Sequence, residues 1–299
     1  MSDENSIAKS GDLSKPASIL IEKISDAVGG IFKPYQIVRV AKAEAKAELI
    51  RTDAQIQVTD LQRRAVHRLV EEESKRQLNM ESITELALPL LKETSSPQNV
   101  ADDWLTNCFD KCRIISDGDM QQWWSRVLAG EANGPGTFSK RTVNLLADLD
   151  RSDAELFVRL CGLGWRIDVD DLIPLIFNLQ SDIYNRQGIN FSSLSHLETL
   201  GFIQFTGINH HSFVKLPRKI VVSYHGRTAE LTLPKEADNR FELGYVLFTQ
   251  AGQQLAPVCD AKPVEGFFEY VYDSWVSQGL VAKPETDPVV PSGPSTESH

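Results

Sequence analysis

Apolar residues in the first part of the chain recur at spacings of three and four, a pattern that predicts helices. Ile19, Leu20, Ile24, Val28 and Phe32 form a short amphipathic stretch that opens after Lys15-Pro16-Ala17. Gly29-Gly30 weakens this stretch, and Pro34 breaks or kinks it. From Tyr35 to Gln77 there is neither Gly nor Pro, and the run that begins AKAEAKAELIRTDAQIQ consists largely of good helix formers. A single helix over 35–77 would be about 60 Å long. Ile50, Ala54, Val58, Leu61, Ala65 and Leu69 give it an apolar seam. A helix this long and polar is marginal alone, so the seam predicts a coiled coil or an antiparallel hairpin. Ile50, Ala54, Leu61 and Leu69 are its candidate contacts to another copy or a partner.

Residues 81–162 continue the helical period. Ser82–Leu91 reads as a short helix, and Val100–Ile115 places Trp104, Leu105, Cys108, Phe109 and Cys112 at core spacing. Asp117 caps a helix that runs through Met120, Trp123, Trp124, Val127 and Leu128 and ends at Asn133-Gly134-Pro135-Gly136. Another helix starts at Thr137-Phe138-Ser139, and a further one runs from about Ser152 to Leu160. After residue 163 the period changes. A helix over 191–200 leads into a strand at 201–205, the runs 213–224 and 228–233 are β-rich, and helices follow at 250–256 and 267–275. The fold class is therefore α+β: a long N-terminal helix, a helical middle region and a C-terminal α+β module. The expected divisions are a solvated arm at 1–15, the amphipathic and long helices at 16–80, the helical core at 81–162, the module at 163–279, and a disordered Pro/Ser/Glu-rich tail at 280–299.

Composition narrows the function classes. The 299 residues are 41 % hydrophobic and 24 % charged, which is ordinary for a soluble globular chain. Net charge is −10, so a generally basic nucleic-acid coat is excluded. Residues 1–80 carry 13 Lys and Arg against 12 Asp and Glu, which leaves the remainder at −11. The polar start lacks the apolar core of a secretory signal, and no run reaches ~18 apolar residues. Four cysteines are too few for a disulfide framework, so a cytoplasmic location is expected.

Two resemblances follow from particular residues. Ser116-Asp117-Gly118-Asp119-Met120-Gln121-Gln122-Trp123-Trp124-Ser125-Arg126-Val127-Leu128-Ala129-Gly130-Glu131, then Pro135-Gly136-Thr137-Phe138-Ser139-Lys140-Arg141-Thr142, with Gln77-Leu78-Asn79-Met80-Glu81-Ser82-Ile83, resembles a bacterial family of unknown function over about Lys15–Trp275. A looser form of this helix-loop-helix is similar to the abortive-infection alpha family of phage-defence proteins, which implies a defence context and supplies no catalytic residues. The second resemblance is local. Leu200-Gly201-Phe202-Ile203, β-rich runs and then Phe248-Thr249-Gln250-Ala251-Gly252-Gln253-Gln254-Leu255 resemble winged-helix domains, although 209–233 is longer than an ordinary wing.

Candidate chemistry is sparse. Cys108 and Cys112 lie one helical turn apart, but no second ligand pair has zinc spacing, so they read as core residues. Asp168, Asp170 and Asp171 read as charges ahead of a helix at 172–179 rather than as a cation site. Glu131 reads as a structural partner of Arg141. No Gly-rich phosphate loop, Gly-x-Ser-x-Gly or His-Glu-x-x-His occurs, and no cofactor or metal is expected. His210, His211, Lys215, Arg218 and Lys219 form the clearest basic cluster of the acidic part, read either as a nucleic-acid contact or as a solvated hairpin. Trp123 and Trp124 point about 100° apart on their helix, so one can enter the core while the other meets a neighbouring helix or subunit. The mixed polar face of Ile19–Phe32 favours packing on the long helix over a membrane surface. Together these features read as a non-enzymatic, oligomerising recognition protein in anti-phage defence. A nucleic-acid-binding regulator is the alternative, and an unrecognised enzyme and a membrane effector are further readings.

Overall fold

The computed structural model describes residues 13–28, 59–168 and 171–284, with the backbone alone at 281–284. Ile50, Ala54, Val58 and Asp170, the arm up to residue 12 and the tail from 285 lie outside the described residues. The protein is α+β, and its chain divides into two compact units at Arg151/Ser152.

The first unit is helical. Its elements are α1 (Lys15–Val28), α2 (Asp60–Ala87), α3 (Asp102–Cys112), α4 (Gly118–Asn133) and α5 (Lys140–Ala147). Helix α4 is its centre. Met120, Trp123, Trp124, Val127, Leu128, Ala129, Glu131 and Ala132 are all buried, so this helix is enclosed on most sides. Asp117 caps it as predicted, with its carboxylate accepting from the Asp119 and Met120 amides at 3.0 Å. Met80, Ile83 and Ala87 of α2 pack on α4, and a polar interlock fixes the register. In it, Ser82 donates to Gln121 at 2.8 Å, Gln121 donates to the Ile115 carbonyl at 2.8 Å, and Asn79 donates to the Arg113 carbonyl at 2.9 Å.

Two helical expectations are corrected here. The helix predicted over 35–77 does not run through Thr59. That residue is extended (φ −59°, ψ 150°) and caps α2 in a reciprocal box with Gln62. Helix α2 also passes Gln77 and absorbs most of the separate helix predicted at 82–91, stopping where Leu88-Pro89-Leu90 tightens into a 3₁₀ turn. Among the described residues, helix α1 packs chiefly on α3. It buries Ala17, Leu20 and Ile24, with Lys23 paired to Asp102 and Thr106 donating to the Ala27 carbonyl.

The second unit opens with α6 (Arg151–Cys161), whose Phe157 ring meets Phe202 and Phe248 at 5.1 and 5.7 Å. The chain continues through β1 (Gly164–Ile167), β2 (Leu172–Pro174), α7 (Asp182–Asn185), α8 (Phe191–Thr199), β3 (Ile203–Phe205), β4 (His211–Leu216), β5 (Lys219–Tyr224), β6 (Arg227–Thr232), β7 (Asn239–Gly244), β8 (Val246–Phe248), α9 (Gln250–Leu255), α10 (Phe267–Ser277) and β9 (Val281–Pro284). The main sheet has the order β2-β1-β5-β6-β9, and β3 pairs with β8 and β4 with β7. All these pairings are antiparallel. The sheet's buried face carries Trp165, Ile220, Val222, Tyr224, Ala229 and Leu231. Trp165 stacks between Tyr224 and Phe268, at 5.0 and 5.2 Å, and meets Trp275 edge-on.

The helix predicted at 172–179 is instead strand β2. Its short apolar run pairs with β1 and is bounded by Pro174, and periodicity alone cannot separate such a run from a buried helix segment. Between Leu200 and Leu255, β3 pairs with β8 and α9 follows, with Thr249 accepting from Gly252 and donating to the Gly201 carbonyl at 2.7 Å. The five-stranded sheet lies outside that pattern.

Candidate interaction surfaces and cavities

The segment from Leu128 to Ser139 forms a structural clasp. Glu131, 3 % exposed, accepts from the Gly136 amide at 2.7 Å and the Phe138 amide at 2.8 Å. Its partners are therefore backbone amides, while the expected partner Arg141 is solvent-exposed. Trp104 donates to the Phe138 carbonyl at 2.7 Å. Gly130 is required by close approach, because a Cβ there would stand 2.6 Å from the Phe138 ring. Trp123 and Trp124 are 7 % and 0 % exposed. Both rings are buried in the folded chain.

Helix α2 behaves differently along its length. From Asp60 to Leu69 every residue is exposed, and Leu61 and Leu69 show 69 % and 61 % of their surface. At about 100° per residue, Leu61, Ala65, Val66, Leu69 and Val70 fall on one half of the helix. Arg63, Arg64, His67 and Arg68 fall on the other, with Arg64 held by Asp60 at 3.2 Å and Arg68 by Glu72 at 3.5 Å. The described part of the predicted seam, Leu61, Ala65 and Leu69, is thus an apolar face that the described residues of its unit leave exposed.

Most of the predicted basic cluster meets carboxylates. Strand β4 pairs with β7 rather than with β5, so the expected 207–219 hairpin does not form. His210 contacts Glu242 at 3.1 Å and lies edge-on to Tyr245. His211 opens β4, and burial holds its imidazole below the ordinary histidine value. Lys215 sits at a bulge with φ 61° and is exposed. Arg218 pairs with Glu236, and Lys219 with Glu230 at 2.8 Å. A phosphate would have to compete with these carboxylates for both cations.

All four cysteines are free and buried. Cys108 neighbours Cys112, and Cys161 neighbours Cys259, a juxtaposition across nearly a hundred residues that spacing could not reveal; the Cys112 thiol and burial push Cys108 up, and burial and the Cys259 thiol push Cys161 up. Among the described residues no group of three or more His, Cys, Asp or Glu is placed to hold a metal ion. No described helix is long and apolar enough to cross a membrane.

Two neighbouring surface cavities went unseen in the sequence. One, of ≈ 330 Å³, is lined by Arg166, Ser223, His225, Asp260, Leu172 and Cys161, among others. The second, of ≈ 370 Å³, shares His225 and includes Arg227, Phe268 and Glu269. There Arg227 lies 3.6 Å over the Phe268 ring and 2.8 Å from Glu269. A sequence signal did exist: Tyr224-His225-Gly226-Arg227 is a two-residue hairpin turn between β-rich runs.

No curated protein and no solved structure matches the chain. A family model does match, over residues 63–272, a span that includes the α2–α4 interlock, the clasp and the main sheet up to β6. The chain therefore belongs to the family described as Protein of unknown function (DUF2806).

Proposed function

We propose that this protein is a non-enzymatic assembly and recognition protein whose copies associate through the exposed apolar half of α2. The observation that carries this reading is the exposure of Leu61 and Leu69 on the first turns of a helix whose later turns are docked in its own unit. Burying a leucine completely stabilises by roughly 1.5–3 kcal/mol. Covering these two and Val66, with the same residues supplied by a second copy, is enough to favour association once a continuous interface excludes water. The free cysteines fit a reducing cytoplasm, and the likeness to abortive-infection proteins suggests anti-phage defence as the setting.

Light scattering on the full chain from about 1 to 100 µM tests this. Wild type is expected to be a dimer or larger, and Leu61→Glu with Leu69→Glu a monomer with unchanged circular dichroism. A wild-type monomer across that range refutes the reading. The alternative of nucleic-acid binding through Lys215, Arg218 and Lys219 has less support, since Arg218 and Lys219 already face carboxylates.

A further inference from the structure

The 330 Å³ cavity of the second unit is built from three pieces of chain. Arg166 on β1 stands directly opposite Ser223 on β5, so the two side chains share the outer face of the sheet while Trp165 and Tyr224 face inward. His225 follows in the β5–β6 turn. The Ala256–Ala261 segment, including Asp260, closes the other side.

The backbone around this cavity is unusual. His225 has φ 44° and Gly226 φ 86°, so both central residues of the turn are left-handed. Asn, Asp or Gly suit the first of these positions far better than His. Asp260 is also left-handed, at φ 54°. The His225 turn and the Asp260 bend both line the cavity. Below the turn, Tyr224 donates to the Gly162 carbonyl at 2.8 Å and accepts from the Val264 amide at 2.6 Å. These two bonds fix the floor beneath the turn.

The polar groups suit one ligand chemistry. A guanidinium is a planar fork that matches carboxylate and phosphate oxygens, and a hydroxyl and an imidazole beside it add hydrogen-bonding capacity. Asp260 does not oppose this with a bare charge, because Lys262 holds both its oxygens at 3.2 Å. In a chain of net charge −10, an anion needs such a local cation to be bound at all. The volume lies at the lower end for small-molecule sites.

We propose that this cavity binds the oxyanion group of a small molecule, either a phosphate monoester or a carboxylate, with Arg166 as its counter-charge and Ser223 and His225 as its further hydrogen-bonding groups. The site lies wholly in the second unit and does not depend on association through α2.

Isothermal titration of the full chain with inorganic phosphate and, separately, with citrate tests this, at ionic strength held constant with chloride. At least one anion is expected to bind. Its affinity should fall about tenfold or more in Arg166→Gln, fall several-fold in Ser223→Ala, and stay unchanged in Arg186→Gln, which removes an exposed charge elsewhere. Phosphate binding alone assigns a phosphate monoester, and citrate binding alone a carboxylate. The proposal is overturned if neither anion binds below about 10 mM, or if both Arg166→Gln and Ser223→Ala bind as wild type does. The Leu61→Glu, Leu69→Glu chain is expected to bind the anion normally, which separates this proposal from assembly.

Discussion

Replacing Glu131 tests how the Leu128–Ser139 clasp holds together. Its carboxylate is 3 % exposed, and its two oxygens take the Gly136 and Phe138 amides at 2.7 and 2.8 Å. In Glu131→Ala the Phe138 amide, which is buried, loses its only acceptor in the clasp, at a cost of about 1–3 kcal/mol. The Gly136 amide lies on an exposed turn and regains water, so its loss is nearer the ~1.5 kcal/mol of a charge-assisted hydrogen bond. Relief from burying a carboxylate offsets part of this, and the balance is a loss of about 3 kcal/mol. For a unit of this size that corresponds to roughly 6–12 °C in melting temperature. Glu131→Gln keeps the shape but turns an NH₂ toward one of the amides, so about half the loss is expected. Arg141→Ala should change stability by less than ~0.5 kcal/mol, because Arg141 is exposed and is not the carboxylate's partner. Calorimetry on the three variants supplies the measurement. If Glu131→Ala melted within a degree or two of wild type, or Arg141→Ala fell with it, the clasp as described would be wrong.

Two further outcomes are expected. Asn239 is buried and ties the end of β4 to β7: it accepts from the Lys235 amide at 2.9 Å and donates to the carbonyls of Lys235, Leu216 and Pro217 at 2.7–3.2 Å. Asn239→Leu should therefore cost about 2–4 kcal/mol by urea denaturation, and a neutral result would contradict these bonds. His211 and His225 both titrate below the ordinary histidine value of 6.5, His211 through burial and His225 through burial reinforced by Arg166. Below that pH the unfolded chain takes up protons that the folded chain declines, so these two residues' contribution to stability is present above pH 6.5 and falls as the pH drops. His211→Gln with His225→Asn should flatten the melting temperature between about pH 7 and 5; an unchanged slope would show that other groups govern it.

Local signals carried much of the architecture. Asp117 caps the helix it was expected to cap, because a side-chain oxygen that meets orphan amides is a property of a few adjacent residues. The helical period through Trp104–Cys112 and the apolar faces of Phe191–Thr199 and Phe267–Ser277 were legible for the same reason. Spacing could not tell which side of a helix meets which neighbour. Trp123 and Trp124 both went inside because α4 lies at the centre of its unit, and the fate of an exposed-looking ring depends on what other segments bring against it. Leu172–Pro174 pairs with β1 as a strand, and β4 pairs with β7 rather than β5, while Arg218 and Lys219 meet carboxylates that the sequence order did not place beside them. The cavity of Arg166, Ser223, His225 and Asp260 joins positions nearly a hundred residues apart. Chain order determines caps and periods because they act over a turn or two; strand partners, burial and convergent side chains are long-range choices made among competing surfaces, and only the folded protein makes them.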